Sequence, residues 1–306
     1  MTKQLSLFPD STLNLIDSLH KDDIAGLETA LSPVDEVFAA LARFRSSREV
    51  MELMQFIARF PNYSTLNGWL LYLQKPAATC VATARTWSQR HNRQLRRGAT
   101  PLIILAPMAP IRFLFDIRDT EGPPVPSAML QPREIDDQQL GRLYATTLHN
   151  AAIHGIAVCE TALDDGDIDS VSRITPALRR KYQDFNLPKD TNYLILIDNT
   201  QSLGSRYACL THELGHIFCN HLGIDRHAWW TERANLDVRG EETEAAAVAY
   251  LVCRRSGLQA DSNTDLFQVA GVHQEIPPFS LNAVLQAAGY VEDMGKHRWK
   301  TPKKGR

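Results

Sequence analysis

The chain has 306 residues, 44% of them hydrophobic and 22% charged, with a formal net charge of −2. That balance fits a soluble globular protein of one large or two ordinary domains, and it excludes a uniformly basic nucleic-acid-binding chain. The five cysteines are widely spaced and form no C-x-x-C, which argues against a disulfide framework or a thiolate metal site and fits a reducing, cytoplasmic setting. No apolar run reaches the ~18 residues of a membrane helix, and Met1 to Ile16 holds no long apolar h-region, so neither a membrane partner nor an export signal is expected.

Apolar residues at helical spacing (Leu13, Ile16 and Leu19, then Val37, Leu41, Val50, Leu53 and Ile57) predict helix between residues 11 and 58, ended by Pro61. A short helix should carry Tyr63 to Gln74 and stop before Pro76. Thr79–Thr86 is rich in small and β-branched residues. Pro101–Ala106 reads as a buried strand and Ile111–Ile117 as another, with a basic turn at Arg93–Gly98 before them. The segment Gly122–Pro132 holds four prolines and is the best candidate domain boundary. Beyond it the pattern predicts a helix over Asp136–His154, a strand opening at Val158, an acidic turn at Asp164–Asp169 and a strand at Tyr193–Ile197. Helices should follow over Leu203–His221, Glu241–Arg255 and Leu281–Ala288, before a basic tail. The expected fold class is α+β with two domains. Residues 1–127 would form an N-terminal α/β domain and 128–306 a C-terminal domain.

The chemistry concentrates at His212-Glu213-Leu214-Gly215-His216. Histidines at i and i+4 leave one helix face about a turn apart, a spacing that lets both imidazoles reach one tetrahedral Zn2+. The intervening Glu213 then lies where it can act as general base on a metal-activated water. An apolar stripe (Leu203, Tyr207, Leu210, Leu214) would bury the other face, and Gly215 would leave space beside the metal. A third ligand is expected from the helix that opens Glu241-Glu242-Thr243-Glu244-Ala245. Glu242 there stands 26 positions after His216, and the favourable helix macrodipole accounts for Glu241 and can account for Glu244. The strand just before the motif is a candidate for holding a peptide substrate. His221 reads as structural, facing away from the ligands. His227, beside Trp229 and Trp230, reads as a surface-loop residue. His273 is a secondary candidate for stabilising an oxyanion.

The first half carries a different signal. Between Glu52 and Asp116 there is no acidic residue, while arginines, one lysine and aromatic residues alternate. Arginines neutralise phosphates and flat rings stack on unpaired bases, a combination suited to single-stranded nucleic acid. The candidate contacts are Tyr63, Lys75, Arg85, Trp87, Arg90, Arg93, Arg96 and Arg97. Phe56, Phe60 and Trp69 read as core.

Both halves resemble one family, the ArdC-type antirestriction proteins. In the first half the resemblance rests on Tyr63-Ser64 with Asn67, Gln74-Lys75-Pro76-Ala77-Ala78-Thr79, Thr86-Trp87, Arg96-Arg97-Gly98, Ile103-Ile104-Leu105-Ala106-Pro107 and Phe115-Asp116-Ile117 with Thr120-Glu121-Gly122. In the second it rests on His212-Glu213-Leu214-Gly215-His216 and on Glu242-Thr243-Glu244-Ala245 with Val248-Ala249-Tyr250. The resemblance implies an N-terminal single-stranded-DNA-binding domain and a zincin-type metallopeptidase domain, the latter also similar to ImmA/IrrE peptidases. The family's E-x-x-A pattern, laid on this chain, makes Glu242 the third ligand. The chain departs from the family at Ala246, where an acid often orients a ligand histidine; the outer partner of His212 is thereby left unassigned.

Three functions follow as expectations. The first is a zinc metallopeptidase that binds single-stranded DNA, hydrolyses DNA-associated proteins and protects incoming DNA from restriction in a plasmid or mobile-element setting. The second is a DNA-coating antirestriction protein with a structural zinc. The third is an ImmA-type regulatory peptidase that cleaves a repressor.

Overall fold

The computed structural model describes residues 47–106, 109–131, 133–162, 170–223, 236–258 and 277–300. The expectations for residues 11–46, for the acidic turn, for His227, Trp229, Trp230 and His273, and for 301–306 lie outside these residues. The described chain belongs to one compact unit spanning Ser46–Arg306, and the boundary expected after residue 127 falls inside it. Its class is α+β: eight α-helices among the described residues, with three small sheets.

Helix α1 (Ser47–Ala58) buries Val50, Leu53, Met54 and Ile57, the i, i+3, i+4, i+7 stripe that the sequence pattern predicts. Helix α2 (Thr65–Gln74) starts at Ser64, whose side chain caps the Asn67 N–H. Strand β1 is only Val81–Ala82, because Thr83 caps a helix, α3 (Ala84–His91), through the stretch expected to be extended. Two-residue β2 (Gln94–Leu95) pairs with β5 (Thr120–Glu121), while β3 (Leu102–Ala106) and β4 (Ala109–Asp116) form a hairpin in the sheet β1-β4-β3.

The free edge of β3 is closed by side chains. Asn67 accepts from the Leu105 N–H at 2.9 Å and donates to the Leu105 carbonyl at 3.0 Å. Gln74 does the same at Ile103, at 2.7 and 2.8 Å. Two amides on α2 therefore stand where a neighbouring strand would, and satisfy an edge that would otherwise be open to pairing.

Helix α4 (Asp137–Ile153) is capped by Asp136 and leads into β6 (Ile156–Thr161). Strand β7 (Ser170–Arg173) and helix α5 (Pro176–Lys181) follow; the sequence pattern indicated neither. Strand β8 (Tyr193–Asp198) lies at the centre of the sheet, parallel to β6 and antiparallel to β7. The strand before the histidine motif is thus flanked on both sides over Tyr193–Leu196; among the described residues the sheet's edges are β6 and β7. Helices α6 (Leu203–Phe218), α7 (Val238–Ser256) and α8 (Leu281–Lys296) complete the chain.

Arg255 at the end of α7 ties the two ends of this unit together. Its guanidinium, 2% exposed, donates to the carbonyls of Ile57, Phe60 and Tyr63 at 2.9, 3.1 and 2.6 Å, and pairs with Glu292 of α8. The Ile57 and Phe60 carbonyls also accept from the N–H groups of Phe60 and Tyr63, so Arg255 adds a charged second donor to each of them and caps the Tyr63 carbonyl. The segment Ile57–Tyr63 is thereby anchored on α7, the helix that carries Glu242, and through Glu292 on α8. Among the described residues no helix is long and apolar enough to cross a membrane.

Candidate metal centre

Helix α6 begins at Ser202, whose hydroxyl accepts from the Ser205 N–H at 3.1 Å, and buries Tyr207, Leu210, Leu214 and Ile217. This stripe fixes the rotation of the helix and points His212 and His216 the other way. Helix α7 begins at Asp237, which caps the Gly240 N–H at 2.8 Å, and brings Glu242 to meet them.

Gly215 sets how closely these helices approach. A Cβ there would stand 3.0 Å from the Ala245 Cα, 3.2 Å from the Ala245 carbonyl oxygen and 3.3 Å from the Val248 Cβ. The space expected beside the metal is filled by the backbone of α7. Any side chain at 215 would push Ala245 away, and with it Glu242 one turn earlier.

The three nominated ligand residues converge. His212 Nε2 lies 3.3 Å from Glu242 Oε2, His216 Nε2 lies 3.4 Å from Glu242 Oε1, and the two Nε2 atoms are 3.2 Å apart. Metal–ligand bonds of roughly 2.0–2.1 Å at tetrahedral angles put ligand atoms about 3.3–3.4 Å apart, so these separations, with the carboxylate turning a different oxygen to each ring, suit ligands gathered around one zinc-sized ion. Two imidazoles and a carboxylate are also a donor set for a borderline divalent ion. The adjoining His212 and His216 rings hold the Glu242 carboxyl well below the usual carboxylate range, against the opposing effect of burial. The residues fit a divalent metal. The His212 and Glu242 side chains are 26% and 37% exposed, so the group faces solvent on one side. Glu213, between the histidines in the chain, is buried.

His221 is where the structure departs most from the sequence reading. Helix α6 ends at Phe218, short of the predicted end. Asn220 takes a left-handed φ of 62°. The N–H groups of Asn220 and His221 bond the carbonyls of Ile217 and His216 at 3.1 and 3.0 Å. This is the Schellman termination. It folds the chain back, so that His221 Nδ1 stands 2.9 Å from His216 Nδ1 and His221 Nε2 stands 3.0 Å from Glu244 Oε2. His221 therefore lies behind a ligand histidine instead of on the far side of a continuing helix. The Asn220 signal was present in the sequence, because asparagine tolerates the left-handed region.

The nominated nucleic-acid contacts divide into two groups. Trp87 is fully buried and donates its ring N–H to the Phe115 carbonyl at 2.8 Å, so it has no face to stack on a base. Arg93 is buried and donates to Thr120 Oγ1 at 2.8 Å and to the carbonyls of Thr120, Gly122 and Pro123, which fastens β5 and the start of the proline-rich segment. Lys75 pairs with Asp119 at 2.7 Å. Tyr63 bonds the Val81 carbonyl at 3.0 Å, and burial pushes its hydroxyl up to about 12. These four serve the fold: each found a local partner that spacing alone does not show. Arg85, Arg90, Arg96 and Arg97 stay exposed. Arg96 lies beside β5, donating to the Thr120 carbonyl at 3.1 Å, and Arg85 bonds Gln89 at 2.9 Å. Phe113, 49% exposed on β4, was not singled out by the sequence reading, and is the exposed aromatic of this region.

No protein-family model matches the chain, and no curated protein matches it. Among solved structures, it is similar to a metal-free crystal structure of the antirestriction protein ArdC from plasmid R388. There the identity is 15% and the TM-score 0.37, over 76% of this chain and 82% of that one. It is likewise similar to the Mn(II)-bound structure of that protein, with 14% identity and a TM-score of 0.38 over 80% and 97% of the two chains.

Proposed function

We propose that this chain is a metal-dependent peptidase with an attached surface for single-stranded DNA. The observation that carries the proposal is the ligand triangle. Structural zinc sites are closed by four protein ligands, whereas catalytic ones take three and leave a position open. Here the described residues offer three, and two of those side chains are partly exposed. A divalent ion at this place would supply Lewis acidity and lower the pKa of a water molecule. Glu213 would take that water's proton and deliver it to the leaving amine, acting as base and then as acid. His212, His216 and Glu242 would hold their positions throughout.

The DNA-facing half of the proposal rests on Arg85, Arg90, Arg96, Arg97 and Phe113. Four exposed guanidiniums and a ring give phosphate contacts and a stacking platform without base-specific readout. The motif resemblance extends the proposal to protection of incoming DNA from restriction, with a DNA-associated protein as the substrate.

The test compares the wild type with Glu213→Gln, measuring metal content and cleavage of a panel of DNA-bound proteins with and without single-stranded DNA. Cleavage by the wild type and at least ~100-fold less by the variant, at equal metal content, is the expected result. Bound metal, bound DNA and no cleavage by either protein would sink the peptidase reading and leave a DNA-coating protein with a structural metal.

A further inference from the structure

We propose that His221 and Glu244 are positioning residues that set the tautomer of His216 and so aim its Nε2 lone pair at the metal. The inference deepens the metal-centre reading and rests on it.

With Glu244 ionised and both rings neutral, the forms in which His216 can bind a metal, the contacts leave one consistent assignment of protons. Glu244 is fully buried and its carboxylate offers acceptors only. One oxygen accepts from the Ser280 N–H at 2.6 Å; the other stands 3.0 Å from His221 Nε2. His221 Nε2 must therefore carry a proton and donate it. With the rings neutral, His221 Nδ1 then holds a lone pair, and it lies 2.9 Å from His216 Nδ1. That contact requires His216 Nδ1 to be the donor. His216 Nε2 is left with the lone pair, and it is this atom that faces His212 Nε2 and Glu242 Oε1 at 3.2 and 3.4 Å. Burial makes the arrangement exclusive: the His221 side chain is 1% exposed, so water does not replace either contact.

An outer carboxylate that fixes a ligand histidine's tautomer usually bonds it directly. Here a second imidazole is inserted between them. Helix α7 thus acts on the centre twice, through Glu242 as ligand and through Glu244 two residues later as anchor of the relay. The departure at Ala246 concerns His212; His216 receives its outer partner from the Schellman turn.

Cys219, His221 and Glu244 also lie close enough together to hold an ion of their own. A metal there would need His221 to give up one of its ring contacts. The relay therefore predicts one metal per chain.

The full-length chain is stripped with a chelator and titrated with Zn2+ against a chromophoric competitor; metal per chain and the visible spectrum of the Co2+ form are also measured. Glu244→Gln is the main variant because it keeps the shape. The Ser280 N–H fixes its amide oxygen, so its NH2 faces His221 Nε2 and reverses both donors down the relay, placing a proton on His216 Nε2. The expected result is a Zn2+ affinity lowered about 10–100-fold, with an altered Co2+ spectrum. His221→Asn, with an amide oxygen near the Nδ1 position, should recover most of the affinity that His221→Leu removes. If Glu244→Gln and His221→Leu bind one Zn2+ as tightly as the wild type, the relay is overturned and the metal centre stands. Two Zn2+ per chain, one of them absent in Cys219→Ala, would make His221 a ligand and overturn the relay. A wild type that binds no Zn2+, Mn2+ or Co2+ would overturn the metal centre itself and the relay with it.

Discussion

Replacing Gly215 with alanine tests the idea that α6 and α7 must nearly touch for the centre to form. Two effects of opposite sign compete. Glycine to alanine inside a helix is favourable by about 1 kcal/mol in intrinsic propensity. Against that, the new methyl would meet the α7 backbone at 3.0 and 3.2 Å and the Val248 Cβ at 3.3 Å, short of the ~3.5–4.0 Å separation at which carbon atoms attract. Overpacking of this kind costs about 1–3 kcal/mol, and its neighbours here are main chain that cannot rotate aside. The expected net change is a loss of about 0–2 kcal/mol in the metal-free protein. The larger effect should fall on the metal. Relief of the contact moves Ala245 by a few tenths of an ångström, and Glu242 with it, whereas metal sites tolerate about 0.2 Å. A tenfold loss of affinity would remove about 1.4 kcal/mol of metal-induced stability. Urea unfolding of Gly215→Ala and wild type, with and without excess Zn2+, measures both terms. A variant about 1 kcal/mol more stable than wild type, with undiminished stabilisation by Zn2+, would refute the close-approach argument.

Other substitutions separate structural arginines from candidate DNA contacts. Arg93→Met should lower stability by about 2–4 kcal/mol, since it takes the donor from the Gly122 and Pro123 carbonyls and from Thr120 Oγ1, leaving the Thr120 carbonyl to Arg96; chemical denaturation checks it. Replacing Arg96 and Arg97 together with glutamine should leave stability within ~0.5 kcal/mol. The log–log salt slope of single-stranded-DNA affinity should become shallower by about 0.7 for each phosphate no longer neutralised, and an unchanged slope would remove both arginines from the interface. Arg255→Leu should cost about 3–5 kcal/mol in thermal or urea unfolding, because it removes the guanidinium from three carbonyls, that of Tyr63 among them, and takes the partner from a largely covered Glu292. Asn220→Gly should be close to neutral, whereas Asn220→Val should lose about 1–2 kcal/mol and loosen the turn that carries His221.

Local rules account for what the amino-acid sequence alone determined. The i, i+4 histidines, the helices with their apolar stripes, the caps at Ser64, Asp136 and Ser202, and the strands at 102–106 and 193–198 all follow from periodicity and short-range geometry. The pairing of His212 with His216 was legible for the same reason, since the two are one helical turn apart, and Glu242 meets them across the helix interface. Tertiary structure decided whatever depended on a partner distant in the chain. Trp87 and Arg93 look like ligand-binding residues until Phe115, Thr120 and Gly122 arrive to satisfy them. Strand β8 looks like a substrate edge until β7 pairs with its open side. His221 looks remote while α6 is imagined to continue, yet one left-handed residue at Asn220 turns it onto His216, and Glu244 meets it there. A side chain's hydrogen-bonding capacity is written in its chemistry, but which atom satisfies it is settled only when distant segments pack.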